Sequence, residues 1–136
     1  MEPRLEAYVY DFNVRKDYFA CHEHLESLWL DSGRPEVMKG LIQAAVCLYH
    51  LESGNIRGAM RMWTRGRPRL VQAAPDALGL DIRQLVADLD GVFARIPDSW
   101  RSKVVDATQV ESLGLPQVRL RVLRPKPLPT YGKRKP

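Results

Sequence analysis

The chain has 136 residues, enough for one domain with a real core but not for two, and its composition (45% hydrophobic, 27% charged) is that of an ordinary globular protein. No apolar run approaches the roughly 20 residues of a bilayer-spanning helix, and the opening MEPRLEAY lacks the basic and apolar regions of a secretion signal. With Cys21 and Cys47 set in apolar helical patterns rather than a spaced framework, we expect a cytoplasmic protein with buried thiols and no membrane partner. The net charge of +5 divides unevenly: from Leu115 onward there are seven basic residues and no acidic one, so residues 1–114 carry 14 basic and 16 acidic groups. The basic character belongs to the tail.

Residues 1–11 alternate apolar and polar side chains over too short a span to assign, and read as a lead-in segment on the surface. Asn13 or Asp17 is suited to cap a first strong helix over about 14–31, which Gly33 and Pro35 bring to an end. With Tyr18 at zero on the helical wheel, Leu28, Cys21 and Leu25 fall at about 280°, 300° and 340°, a stripe facing the core. His22 and Trp29 fall at about 40° and 20°, with Glu26 near 80° on the shoulder. A His and a Glu on the buried side of a helix cost free energy unless hydrogen bonds or a metal ion satisfy them. The stretch from Phe12 to Trp29 is therefore where we look for a site.

A second helix over about 36–52 is apolar on nearly every side, which places it in the middle of a bundle. Its polar exceptions, Gln43 and His50, are seven apart and share a stripe that could face His22 and Glu26. Gly54 and Asn55 read as the close of that helix and the cap of a third, joined by a tight turn. The third helix begins at Ile56, and Pro68 is expected to end or kink it near Gly66 or Arg67. Residues 74–80 read as a loop. Asp81 with Gln84 three places on has the pattern of a capping box, opening a fourth helix whose apolar spacing runs to Ile96. Beyond Pro97 the chain is weakly patterned as far as Leu115, with room for one short helical turn. Gln117–Leu123 alternates as an extended strand would, and lacks an obvious partner, so the N-terminal segment or a second subunit is expected to supply one. The last twelve residues hold four prolines and four basic groups and are expected to be disordered. The expected architecture is an all-α bundle of four main helices over residues 1–114, followed by an extended segment and basic tail over 115–136.

The blocks FN, YF, CHE, LE and LW between Phe12 and Trp29, then GLIQAAVCLYH, then GNIRGA, resemble the bacterial and archaeal family catalogued as domain of unknown function 309. The resemblance runs from Phe12 to about Leu70, with the fourth helix as its usual continuation. It implies a compact helical domain with a polar cluster at His22, Glu23, Glu26, Gln43, His50 and Asn55. Members are sometimes described as predicted metal-dependent hydrolases, a label that carries no mechanism.

His22 and Glu26, four apart on one helix, suit two ligands of one divalent metal (zinc, iron or manganese), and His50 could supply a third; such a set lowers the pKa of bound water and serves hydrolysis. Gln43 would position water or substrate, while Tyr18 and Trp29 would wall the pocket and Glu23 would support it from outside. The zinc-protease motif H-E-x-x-H is not met, because its fifth position is Glu26. The alternative is that His22, Glu26, Gln43, His50 and Asn55 form one buried hydrogen-bond network with no ligand. A different class of function comes from Arg57, Arg61, Arg65 and Arg69, which recur every four residues and, with the basic tail, could contact the phosphates of a nucleic acid. The strand leaves a homodimer open, and a small molecule is the other expected partner.

Overall fold

The first residues form a helix rather than a lead-in. The computed structural model of the protein describes residues 1–123, and the expected disorder of the last twelve residues falls outside them. Helix α1 (Pro3–Tyr10) starts where the Glu2 carboxylate accepts from the Arg4 backbone N–H and where Pro3 sits at a position that needs no donor. Its Leu5 and Tyr8 are buried, and the Tyr8 hydroxyl donates to the Leu41 carbonyl at 2.6 Å, fixing α1 to the interior. A π-helical turn (Asp11–Arg15) and Lys16 in the left-handed region then redirect the chain. Helix α2 (Tyr18–Asp31) therefore begins four residues later than the expected 14, capped by Asp17, whose carboxylate accepts from the Ala20 N–H at 3.0 Å.

Helix α3 (Glu36–Glu52) keeps the expected bounds and the expected central place, packing chiefly on α4 (Ile56–Ala73) and then on α2. Asn55 caps α4 by accepting from the Gly58 N–H at 3.0 Å. Pro68 does not end this helix, which runs on to Ala73 with the proline inside it. The reason is tertiary: Leu70, fully buried, lies over Gly40 of α3, and Arg69 reaches back to Glu36 and Gln43, so packing beyond the proline offsets its missing hydrogen bond. Pro68 itself is exposed.

The expected loop at 74–80 contains a small antiparallel hairpin, β1 (Asp76–Ala77) with β2 (Leu80–Asp81). Asp81 then caps α5 (Ile82–Ala94), accepting from the Gln84 N–H at 2.9 Å, but the Gln84 side chain turns forward to Asp88 at 2.6 Å and leaves the capping box half made. A 3₁₀ turn (Asp98–Trp100) and helix α6 (Ala107–Ser112) follow, one element more than expected.

Residues 117–123 are extended but do not form a ladder. Their alternation is nonetheless physical, since Val118 and Leu120 are buried and Arg119 and Arg121 are exposed. The partner is a side chain: Asn13 donates to the Leu120 carbonyl at 2.7 Å and accepts from its N–H at 2.8 Å, as a neighbouring strand would. Arg121 and Leu123 bond the backbone of Asp81 and Gly79, and a single bridge joins Leu80 to Val122. The hairpin and the π turn thus supply the partner that was expected from the N-terminal segment or a second subunit. The described residues form a mostly helical fold with six α-helices, of which α2 to α5 are the four main ones. Among the described residues, no helix is long and apolar enough to cross a membrane.

Candidate functional site

The i, i+4 spacing on α2 does bring His22 and Glu26 together, with Nε2 and Oε2 3.0 Å apart. Their side chains are 31% and 45% exposed, so the pair stands at the rim of the groove between α2 and α3 rather than on the buried side. Across that groove, His22 shares a cavity of about 210 Å³ with His50 of α3, along with Tyr18, Phe19, Val46 and Tyr49. Phe19 and Tyr49 are both large, both more than 40% exposed, and have ring centroids 5.7 Å apart at this site.

His50 is oriented from the turn that follows its helix. Because the Asn55 carbonyl oxygen is committed to capping α4, its amide Nδ2 faces His50 Nδ1 at 3.3 Å. That nitrogen must accept, which puts the proton of a neutral His50 on Nε2. Asn55 is thus both cap and orienting group. At His22 the Glu26 carboxylate lies against Nε2 as a charge contact, on the side of the ring away from Nδ1.

The other expected members of a single network lie elsewhere. Gln43 is buried but faces α4, where its Oε1 accepts from Arg69 at 3.1 Å, so it does not reach His22 or Glu26. Helix α3 has neighbours on two sides, and a shared stripe is not a shared destination. Trp29 packs at the α2–α3 seam under the Lys39 ammonium, 4.6 Å from the ring centroid, with the Arg34 guanidinium at 5.6 Å. Its Nε1 is the one fully buried side-chain polar atom without a hydrogen bond among the described residues. Glu23 is exposed. The network is therefore three separate contacts, His22 with Glu26, His50 with Asn55, and Gln43 with Arg69.

Among the described residues, no three His, Cys, Asp or Glu side chains are grouped so as to hold a metal ion, and the set His22, Glu26 and His50 is not such a group. The two thiols are buried and held protonated, Cys21 pushed up to about 12 by burial and by Asp11, and Cys47 pushed up by burial.

The arginine stripe divides. Arg57, Arg61 and Arg65 are exposed and unpaired among the described residues, whereas Arg69 is tied to Glu36 at 2.6 Å and to Gln43 and leaves the stripe. Arg67 grips Asp90 with two nitrogens, and that hydrogen bonding, joined by a bond from the Trp63 indole, holds the Asp90 carboxyl below its ordinary range. One polar contact escaped the sequence reading: His24 Nε2 lies 3.0 Å from Oδ2 of Asp11, a carboxylate 3% exposed that also meets Arg15 at 3.4 Å. It becomes visible only once residues 3–15 are known to be helical and packed on α2.

Residues 5–62 match the model of a family described as a domain of unknown function (DUF309). The uncharacterized protein YpuF of Bacillus subtilis (strain 168) is 37% identical over 95 residues, which are 65% of this chain and 54% of that protein, so the chain spans about half the length of this curated relative. No solved structure gives a significant match.

Proposed function

With residues 5–62 matching the model of the family of domains of unknown function numbered 309, we propose that the groove between α2 and α3 is a small-ligand site in which His22 takes a proton and the His50 Nε2–H donates a hydrogen bond. The observation that carries this reading is the shared cavity: two imidazoles from different helices, each oriented by its own partner, open onto one space rimmed by exposed aromatic rings. At about 210 Å³ it is smaller than the about 300–1,000 Å³ of drug-sized pockets, which restricts the ligand to a fragment with one or two polar groups. A base on one wall and a hydrogen-bond donor on the other suit general-base attack of water on an ester, amide or phosphoester, with the donor facing the oxygen that gains negative charge.

The test is histidine side-chain NMR together with hydrolysis of p-nitrophenyl acetate. His50 should show the Nε2–H form, lost in Asn55→Ala, and the His22 ring signals should move in Glu26→Ala. Turnover should fall by about 10²-fold in His22→Ala and in His50→Ala, the scale of general acid–base catalysis. Unchanged turnover in both alanine variants would overturn the catalytic reading. Zinc, iron and manganese are added in turn as probes. A single equivalent that moves the His22 and His50 signals together would make a metal the ligand of this groove.

A second reading is favoured by α4, where Arg57, Arg61 and Arg65 stand four apart, exposed and free of acidic partners among the described residues. Such a row suits successive phosphates of a nucleic acid. Fluorescence anisotropy of a labelled single-stranded RNA should then show binding that weakens steeply with salt and is lost in the triple Arg57→Glu, Arg61→Glu, Arg65→Glu variant. Binding that ignores the triple variant would refute this reading.

A further inference from the structure

A second cavity, of about 360 Å³, lies on the other side of Tyr18 and takes no part in the histidine groove. Its apolar walls come from four elements: Leu51 at the end of α3, Val92 of α5, Val110 of α6 and Val118 of the extended segment, all at least nine-tenths buried. Only two charged side chains line it, Glu52 and Glu111, and neither has a basic partner among the described residues. Glu52 is exposed as a residue, yet burial of its carboxyl and the nearby Asp17 raise its pKa, which marks a carboxylate partly withdrawn from water and uncompensated.

Carboxylates alone would mean little, but Tyr18 supplies an independent sign. It is 8% exposed, and its hydroxyl has no hydrogen-bond partner among the described residues. The hydroxyl keeps some accessible surface, since the Trp29 indole is the one fully buried side-chain polar atom without a partner among the described residues, and Tyr18 lines this cavity together with Glu52. Burial, and next the charge of Glu52, push Tyr18 up to about 12. A largely buried tyrosine that lines a cavity with its hydroxyl free of protein partners has that hydroxyl available to a bound group. Tyr18 stays neutral at working pH and keeps an oxygen lone pair for an N–H donor.

We propose that this cavity binds a small organic cation, an ammonium on a short apolar body, with the charge held by Glu52 and Glu111, one N–H given to the Tyr18 hydroxyl, and the hydrocarbon packed on Leu51, Val92, Val110 and Val118. An anionic ligand is disfavoured by the same carboxylates, and a purely apolar one would leave the hydroxyl and both charges unpaired.

The experiment is a methyl NMR titration of the full chain at pH 7 with three probes of one shape: cyclohexylammonium, cyclohexanol and cyclohexanecarboxylate. The ammonium should move the Leu51, Val92, Val110 and Val118 methyl signals and bind about tenfold more tightly than the alcohol, with the carboxylate not binding. Glu52→Gln should lower ammonium affinity roughly tenfold and leave the alcohol unchanged, and Tyr18→Phe should lower it about threefold. Both substitutions keep side-chain volume and remove no internal hydrogen bond, so folding is retained. Equal binding of ammonium and alcohol, ammonium affinity unmoved by Glu52→Gln, or shifts confined to other methyl groups would each overturn the assignment.

Discussion

Gly54→Ala is expected to destabilise the protein by at least about 3 kcal/mol, read as a lower urea midpoint with unchanged slope. Gly54 has φ +88°, a conformation an alanine adopts only with strain, and a methyl group there would run into the Val105 carbonyl oxygen. That oxygen cannot step aside freely. The Val105 N–H donates to the Gly54 carbonyl at 2.8 Å, Asn55 bridges Val104, and the Arg57 N–H reaches the Lys103 carbonyl at 3.1 Å, so the turn and residues 103–105 are laced together. Asn55→Ala is the control, because it removes the cap without touching the backbone and should cost only about 1 kcal/mol. Both variants should disturb the His50 tautomer, since both act on the amide that faces its Nδ1. A Gly54→Ala cost near that of Asn55→Ala would mean that the turn adapts, and the rigid placing of His50 would go with it.

The contrast between local and non-local contacts explains what was legible in the sequence. Asp17, Asn55 and Asp81 were readable as caps because a cap is decided within four residues, and all three accept the expected backbone N–H. The pairing of His22 with Glu26 was readable for the same reason, as one turn of helix fixes it. Depth was not, because the wheel gives a direction and only the neighbouring helix decides whether that direction is buried. Gln43 shows the limit most clearly: on a helix apolar all round, nothing local distinguishes the side that meets α2 from the side that meets α4. Pro68 misled for the opposite reason, since its local cost is real and is overridden by Leu70 and Arg69 packing on α3. Helix α1 and the pairing of Asn13 with Leu120 were hidden because each depends on a partner more than thirty residues away.

That last pairing sets the second large effect. Leu120→Ala is expected to cost about 2–5 kcal/mol, the range for emptying a fully buried leucine site. Leu120 is 1% exposed and sits in the same core as the helices, although it follows the last helix and belongs to no sheet. Two effects combine at this residue. The side chain fills the core, and its backbone N–H and carbonyl are held by the Asn13 amide at 2.8 and 2.7 Å. Asn13→Ala, which leaves both backbone groups without that partner, should cost about 1–3 kcal/mol and speed hydrogen exchange at the Leu120 amide. The double variant should cost less than the sum of the two, because once the segment has lifted there is no clamp left to lose. Strict additivity would show side chain and clamp to be independent, and a Leu120→Ala cost below about 1 kcal/mol would show that residues 117–123 lie on the fold without being part of it. The same segment carries Val118 into the wall of the cavity beside Glu52, so its release should weaken cyclohexylammonium binding there while the histidine groove, which shares no residue with it beyond Tyr18, keeps its response.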